Sequence, residues 1–357
     1  MHPPAAHDQV GRRPARVSAG ALLALAFPLF ASCGEGATGP DVRVLRVSPA
    51  AGLVVGVGGR STFQARATFP DGSMGRVDVE WTVADPGIAT IGADGKAVGV
   101  APGVTTVTAS LGGLAATATV EVHVSEVPGA AEPGVSYFGR NGYVEYIPGT
   151  LPLILSAPHG GGVRPSEIPD RTEGEFTSDV ATIALTLAVR DAFVAATGSA
   201  PHVVISHLHR ARFDANRELE EAAGGNPFAE NAFHEYHGFI EQARRTVATR
   251  GEGLYLDMHG HGHDLDRLEL GYLLTAGQLD LPDYVLSALT VVQQTSIREL
   301  GRDSPLPFAE LLRGDLSLGG FLGAQGLRSV PSPSDPSPGE APYFSMVLVH
   351  RRGEAWR

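Results

Sequence analysis

Residues 256–263 read LDMHGHGH: Asp257, then His259, His261 and His263 at every second position after an apolar run. Imidazole is the commonest metal-ligating side chain, and a neighbouring carboxylate is its usual companion. One such stretch cannot complete a site, because a metal takes three or four protein ligands. Two further clusters offer them. APHGGGVRPSEIPDR (157–171) carries His159, Glu167, Asp170 and Arg171. SHLHRARFDANRE (206–218) carries His207, His209, Arg210, Arg212, Asp214, Asn216 and Arg217. Two histidines from different strand ends plus one carboxylate make a three-ligand zinc site with an open position. Such a site polarises an amide carbonyl and activates water near neutral pH. An arginine beside it stabilises a developing oxyanion or grips a substrate carboxylate at two points. The glycines at 160–162 would let the backbone pass close to metal or substrate. No Gly-x-Ser-x-Gly elbow occurs and the single cysteine lies elsewhere, which weighs against a Ser or Cys nucleophile. A lone histidine at a strand end is more often structural than a ligand. His207, His209, His261 and His263 are therefore assigned as supporting or surface residues. Asp257 is read as support for a ligand or a turn, without metal contact.

Each cluster follows a short apolar run: LPLILSA (151–157), HVVISHL (202–208) and GLYLDM (253–258). Runs of that length suit strands buried on both faces. Between them, 178–198 and 230–251 repeat apolar residues at helical spacing, and another helix is predicted over 283–300. Strands alternating with helices predict an α/β domain with a mainly parallel sheet. In such sheets the ligand crevice lies beyond the carboxyl ends of the strands, so all three clusters converge there.

The preceding segment, 41–124, has a different grammar. VRVLRVSP, STFQARATF, VEWTV, VTTVTASL and TATVEVHV alternate apolar and polar residues between turn signals, which predicts a β-sandwich around Trp81. Asp71, Asp85 and Asp94 read as turn formers. SEVPGAAEPG (125–134) is a linker by composition. At the N-terminus, Arg12, Arg13 and Arg16 precede an apolar run over 21–30, then Ala31, Ser32 and Cys33. That is the layout of an export signal, too short for a membrane span. One cysteine excludes an intrachain disulfide. A net charge of −12 over 357 residues leaves no basic face for nucleic acid.

Three resemblances sharpen these readings. EWTVADPGIATIGADGKAVGVAPGVTTVTAS followed by ATATVEV resembles a bacterial Ig-like domain of the group-2 type, which implies an Ig-like sandwich acting as a spacer. The signal ending Ala-Ser-Cys resembles that of bacterial lipoproteins, with Phe30 where an aliphatic residue is usual. It implies lipidation of Cys33 and a membrane anchor at the cell surface or in the periplasm. The strings APHGG, IPDRT, LHRARFDANRE, YHGFIEQAR, LDMHGHGH, LELGYLL and PSPSDPSPGEAPYF occur in that order over about 138–344. Together they resemble N-formylglutamate amidohydrolase-like proteins, a group similar in organisation to zinc carboxypeptidases and aspartoacylase.

This last resemblance implies one zinc ion with His159 and His259 as ligands and either Glu167 or Asp170 as the carboxylate. It implies that Asn216 and Arg217 hold a substrate carboxylate. Arg210 or Arg212 would stand near the scissile carbonyl, Arg210 counted as catalytic and Arg212 with the substrate-binding pair. Glu269 is the candidate general base. Relatives usually continue past the PYF string with a Gly-Gly-Tyr-like stretch and a further strand; here SMVLVHRRGEAWR follows, so the domain reads as truncated. The expected division is signal 1–33, tether 34–40, Ig-like domain 41–124, linker 125–137 and hydrolase-like domain 138–357. The expected activity is exported, zinc-dependent cleavage of an amide in an N-acyl amino acid or a glutamyl-type peptide or polymer. The rivals are a non-catalytic surface-binding protein with a degenerate hydrolase domain, and an adhesin acting through the Ig-like module.

Overall fold

The computed structural model describes residues 41–125, 131–341 and 344. The export signal with Cys33, the tether, part of the linker and the stretch after Phe344 lie outside the described residues. Among the described residues no helix is long and apolar enough to cross a membrane.

Alternating residues fold the first region into ten strands. β1 (Val44–Ser48), β4 (Gln64–Thr68) and β5 (Met74–Arg76) form an antiparallel sheet. A second sheet runs in the order β2 (Ala51–Val55), β10 (Leu114–His123), β9 (Gly103–Leu111), β6 (Glu80–Val83), with β2 and β10 parallel. The third is β3 (Arg60–Thr62), β8 (Lys96–Gly99), β7 (Ala89–Ile91). Val54, Phe63, Val107, Val120 and Val122 fill the core, and Trp81 packs against it, only partly buried. The expected strands are present, except that STFQARATF is divided between β3 and β4, which belong to different sheets. β2, β5, β7 and β8 are additional, short or Gly-containing segments with too few alternations to register by pattern. The aspartates do close turns. Asp71, Asp85 and Asp94 each accept through Oδ1 from the backbone N–H two residues on, at 2.9, 2.8 and 3.1 Å.

The second region is mixed α/β. Its five-stranded sheet runs β11 (Tyr137–Phe138), β12 (Val144–Ile147), β14 (His202–Ser206), β13 (Leu153–Ala157), β15 (Leu254–Asp257). β13 is parallel to both β14 and β15, while β12 and β11 are antiparallel additions at one edge. The sheet is thus parallel where the three apolar runs lie and mixed overall. Every residue of β13 and β14 is buried, and burying one such aliphatic side chain contributes about 1.5–3 kcal/mol. α1 (Thr182–Thr197) and α3 (Pro227–Ala248) cover the sheet, with the short α2 (Leu219–Ala223) between them in sequence. α3 starts cleanly: Asn226 Oδ1 accepts from the N–H groups of Phe228 and Ala229, and Pro227 occupies the first turn. Its Phe233, Tyr236 and Phe239 share a core with Tyr146, Val204 and Phe213.

Beyond β15 come α4 (Ala276–Leu279), α5 (Asp283–Leu286), α6 (Leu289–Val292), α7 (Arg298–Asp303), α8 (Phe308–Arg313) and α9 (Leu318–Ala324). A two-stranded parallel pair, β16 (Leu268–Glu269) with β17 (Ser329–Val330), accompanies them. The single helix expected over 283–300 is three short ones. Ala288 is extended, at ψ 138°, and Thr295 Oγ1 donates back to Val292 O at 2.8 Å, competing with helix propagation.

The β region is docked, not loosely tethered, and lies with the α/β part in one compact unit. Leu53 of β2 joins the α3 core. Arg140, buried at the junction, donates to Glu121 of β10 at 2.7 Å and pairs with Glu167 on its other side. Glu235 of α3 accepts from Ser125 Oγ at 2.8 Å and lies 2.8 Å from His123 Nε2.

Candidate metal centre

Because β13, β14 and β15 are parallel, their carboxyl ends face the same way and deliver three polar segments to one place. His159 lies two residues beyond β13, Asp214 and Asn216 beyond β14, and His259 two residues beyond β15. A fourth segment joins them. Asp179, three residues ahead of α1, donates its N–H to His159 O at 3.0 Å. The chain then turns into the helix through Ala181 at φ 67°. His159, Asp179 and His259 each offer a ligand atom, and these atoms lie within 4.8 Å of one another.

The hydrogen bonds orient both rings. His159 Nε2 faces Asp214 Oδ1 at 2.7 Å, so Nδ1 points into the cluster, 3.5 Å from Asp179 Oδ2. That Nδ1 is buried without a hydrogen-bond partner. His259 Nε2 faces Asp257 Oδ2 at 3.1 Å and its Nδ1 lies 2.9 Å from Asp179 Oδ2. Both histidines thus stand in carboxylate–imidazole pairs that leave Nδ1 for a cation, the arrangement that fixes metal-ligating histidines. An inward-facing, unpartnered imidazole nitrogen beside a carboxylate and a second imidazole fits a divalent ion with nitrogen and oxygen preference, such as zinc. His159 is 1% exposed and His259 31%, so the His259 side is where solvent and a ligand can reach the cluster.

Electrostatics follow from these contacts. Burial would raise the Asp179 carboxyl, yet the nearby His159 ring, the His259 Nδ1 contact and the Gly260 N–H hold it well below the usual carboxylate range. Asp214 behaves alike: burial is outweighed by His159 and Arg210. For His259, burial favours the neutral ring, but bonds to Asp179 and Asp257 and their charges push it up to about 10.

Glu167 and Asp170, the two carboxylates expected from sequence, are both engaged elsewhere. Glu167 accepts from Tyr143 OH at 2.6 Å and is held by Arg140, and Asp170 pairs with Arg164 at 3.0 Å and Arg212 at 2.8 Å. Asp179 occupies the place between the histidines. Its signal was ambiguous: an aspartate just ahead of an apolar-periodic run reads as a helix cap. Glu269 is not in the cluster, because β16 carries it into a pair with Arg267 at 2.9 Å, and a carboxylate held by a buried guanidinium is poorly placed as a general base. Arg210 does border the site, through Asp214 Oδ2 at 2.9 Å and Asp179 Oδ1 at 3.5 Å. Buried Arg171 backs Asp214 at 3.7 Å.

The remaining expected substrate residues point elsewhere. Arg212 donates to Ile168 O, Arg217 to Glu221 Oε1 at 3.1 Å, and Asn216 turns its amide inward onto Asp257 at 2.6 Å. His207 pairs with Glu145 at 2.9 Å, and His261 stacks on His263 with ring centroids 3.8 Å apart, both outside the ligand cluster. Gly160 and Gly161 are required for close packing within the protein. A Cβ at Gly160 would meet Thr182 Oγ1 at 2.5 Å and one at Gly161 the His207 carbonyl at 2.3 Å, whereas Gly162 faces open space.

No family model matches the chain, and no curated protein matches it. Among solved structures it is similar to domains 4 and 5 of the S-layer protein SbsC, at 23% identity over 24% of this chain, with a TM-score of 0.22. It is also similar to domains 1–6 of the surface layer protein SbsC, at 19% identity over 31% of this chain, with a TM-score of 0.23. The chain spans 53% and 19% of those structures' own lengths.

Proposed function

We propose that the α/β region is a metal-dependent amidohydrolase domain, related in organisation to zinc carboxypeptidases and aspartoacylase, and that the β region is an Ig-like module docked against it. The observation that carries the reading is the convergence of His159 Nδ1, an Asp179 oxygen and His259 Nδ1 at the ends of adjacent parallel strands. These three residues would hold one zinc ion, which supplies a Lewis acid for an amide carbonyl and activates water near neutral pH. The chain's own residues set the rest. Asp214 and Asp257 orient the rings, and Arg210 places a cation beside Asp179, where it offsets negative charge developing on the substrate. The substrate class is an amide next to a carboxylate, in an N-acyl amino acid or a glutamyl-type peptide or polymer. Export through the N-terminal signal and a lipid on Cys33 would place the activity at the cell surface or in the periplasm.

The test is the metal content of the purified full chain, prepared without added zinc, beside His159→Ala and His259→Ala. About one zinc per chain, lost in both variants, is the expected result. A folded wild type that neither carries nor takes up zinc overturns the reading. Cys33→Ser is expected to release the protein from the membrane fraction, and unchanged partitioning would remove the anchor from the proposal.

A second reading has an observation of its own. Asn216, Arg212 and Arg217 each turn a side-chain donor onto an intramolecular partner. That favours a metal-binding surface protein without turnover. Zinc bound stoichiometrically, with no cleavage across a panel of N-acyl amino acids and glutamyl peptides, would select it.

A further inference from the structure

The two carboxylates that orient the histidines are themselves tied together. Asp214 Oδ1, which faces His159 Nε2, also accepts from the backbone N–H of Asn216 at 3.0 Å. The side chain of the same asparagine donates through Nδ2 to Asp257 Oδ2 at 2.6 Å, the oxygen that faces His259 Nε2. Asn216 therefore completes a continuous path His159–Asp214–Asn216–Asp257–His259. Its Nδ2 also lies 2.9 Å from His259 Nε2, so the amide meets that ring directly as well as through Asp257. The other oxygen of Asp257 is held separately. Ser156, completely buried and paired with Asp257 across the β13–β15 register, donates its hydroxyl to Oδ1 and lies 2.7 Å from Tyr255 OH.

The physical consequence concerns ring orientation. An imidazole can rotate about its Cβ–Cγ bond unless a partner holds the nitrogen that is not ligating. A carboxylate does this only if it cannot itself rotate. Asp257 is pinned at both oxygens by different elements, Ser156 on β13 and Asn216 beyond β14. Asn216 is buried and spends its donors on this frame, so it is not disposed to reach a substrate.

We propose that Asn216 and Ser156 are positioning residues of the metal centre: acting through Asp257, and for Asn216 also through Asp214, they fix the ring orientation that presents the Nδ1 atoms of His259 and His159 to one cation. This rests on the metal-site reading above and assigns Asn216 a role different from gripping a substrate carboxylate. Loss of an outer-shell partner of this kind lowers metal affinity roughly 10–100-fold.

The experiment is a titration of the metal-free full chain with Co²⁺ alone, followed by the visible ligand-field absorption that reports the nitrogen and oxygen donors. Wild type, Asn216→Ala, Ser156→Ala and Ser156→Thr are compared, with Arg217→Ala as a neighbouring control. The expected result is one cobalt site in the wild type and in Arg217→Ala. Binding should be about 10–100-fold weaker with a shifted band in Asn216→Ala and Ser156→Ala, and recover in Ser156→Thr, which keeps the hydroxyl. Should either alanine variant fail to fold, the other carries the test by itself. A folded alanine variant that binds Co²⁺ like the wild type, with the same band, overturns the role of that residue while leaving the metal site standing. A wild type that binds no Co²⁺ overturns the metal-site reading and this proposal with it.

Discussion

Arg140 Nη2 lies 2.7 Å from Glu121 Oε2, and the same guanidinium pairs with Glu167. One buried cation thus joins the last strand of the β region to the loop that leads from His159 to Asp179. The Arg140 side chain is 7% exposed and those of Glu121 and Glu167 24% and 27%, so this is a pair whose disruption strands charge, not a screened surface contact.

Removing the cation therefore has a definite cost. Arg140→Met keeps an apolar side chain but removes the guanidinium, whose central carbon lies 4.7 Å from the Phe228 ring centroid, and leaves Glu121 and Glu167 without their shared cation. The expected loss is about 3 kcal/mol, toward the lower end for buried pairs because both glutamates keep some solvent. It is read as a lower denaturant midpoint for the full chain. A midpoint equal to that of the wild type would mean that the junction contributes nothing to stability.

The α/β layout was legible in the sequence because each of its parallel strands is an uninterrupted apolar run followed by polar residues, a pattern that fixes both strand and direction. His159 and His259 were legible as strand-end residues for the same reason. Asp179 was not, since its twenty-residue separation from His159 is set by the path of a loop and its type matches a helix cap. The docking of the β region was also hidden. Arg140 and Glu235 look like ordinary surface charges in sequence, and only the fold buries them together. The breaks near Ala288 and Thr295 escaped because apolar spacing continues through them, while a local side-chain bond stops the helix.

The choice of carboxylate can be tested directly. Asp179→Asn preserves size and removes the negative oxygen that faces both histidines. It should weaken zinc binding by more than the roughly 10–100-fold that loss of an outer partner costs. Asp170→Asn should leave zinc affinity unchanged, because that carboxylate is taken up by Arg164 and Arg212. Equilibrium competition with a chromophoric chelator reads both values. Equal affinities for Asp179→Asn and wild type would move the carboxylate ligand elsewhere.

Protons and metal compete for the same ring. His259 is pushed up to about 10 by Asp179 and Asp257 against the opposing effect of burial, so in the metal-free protein it is imidazolium at neutral pH. A raised histidine stabilises the fold fully below its unfolded value of about 6.5, and that stability is lost as pH rises toward about 10. Metal ligation needs the neutral ring, so zinc affinity should rise about tenfold per pH unit between pH 6.5 and 9 from this group. Isothermal titration at several pH values, corrected for zinc hydrolysis, gives the slope. A flat profile would show that His259 is already neutral and that its two carboxylate contacts do not hold a proton.

A second histidine sets an acid limit on stability, far from the metal centre. His202 opens β14 and is completely buried, with Nδ1 accepting from the Gly149 N–H at 3.1 Å and lying 2.9 Å from Tyr146 OH. Burial first, then the nearby charge of Arg250, lowers it to about 4, so the folded state holds the neutral ring. The unfolded chain takes up the proton near pH 6.5, so stability from this group is complete above that value and falls as pH drops toward 4. A shift of this size corresponds to about 3 kcal/mol over the window. The carboxylates held low by their partners lose their contribution from about pH 5 downward, so between about 6.5 and 5 the loss falls to His202 together with His209, which burial and Arg164 also lower. In His202→Leu the fold loses the acceptor for Gly149 and is less stable at pH 7.5, but it should lose much less of its remaining stability on acidification than the wild type. Denaturant unfolding of both proteins at pH 7.5, 6.5, 5.5 and 4.5 compares the slopes, and parallel curves would place the acid sensitivity in other groups.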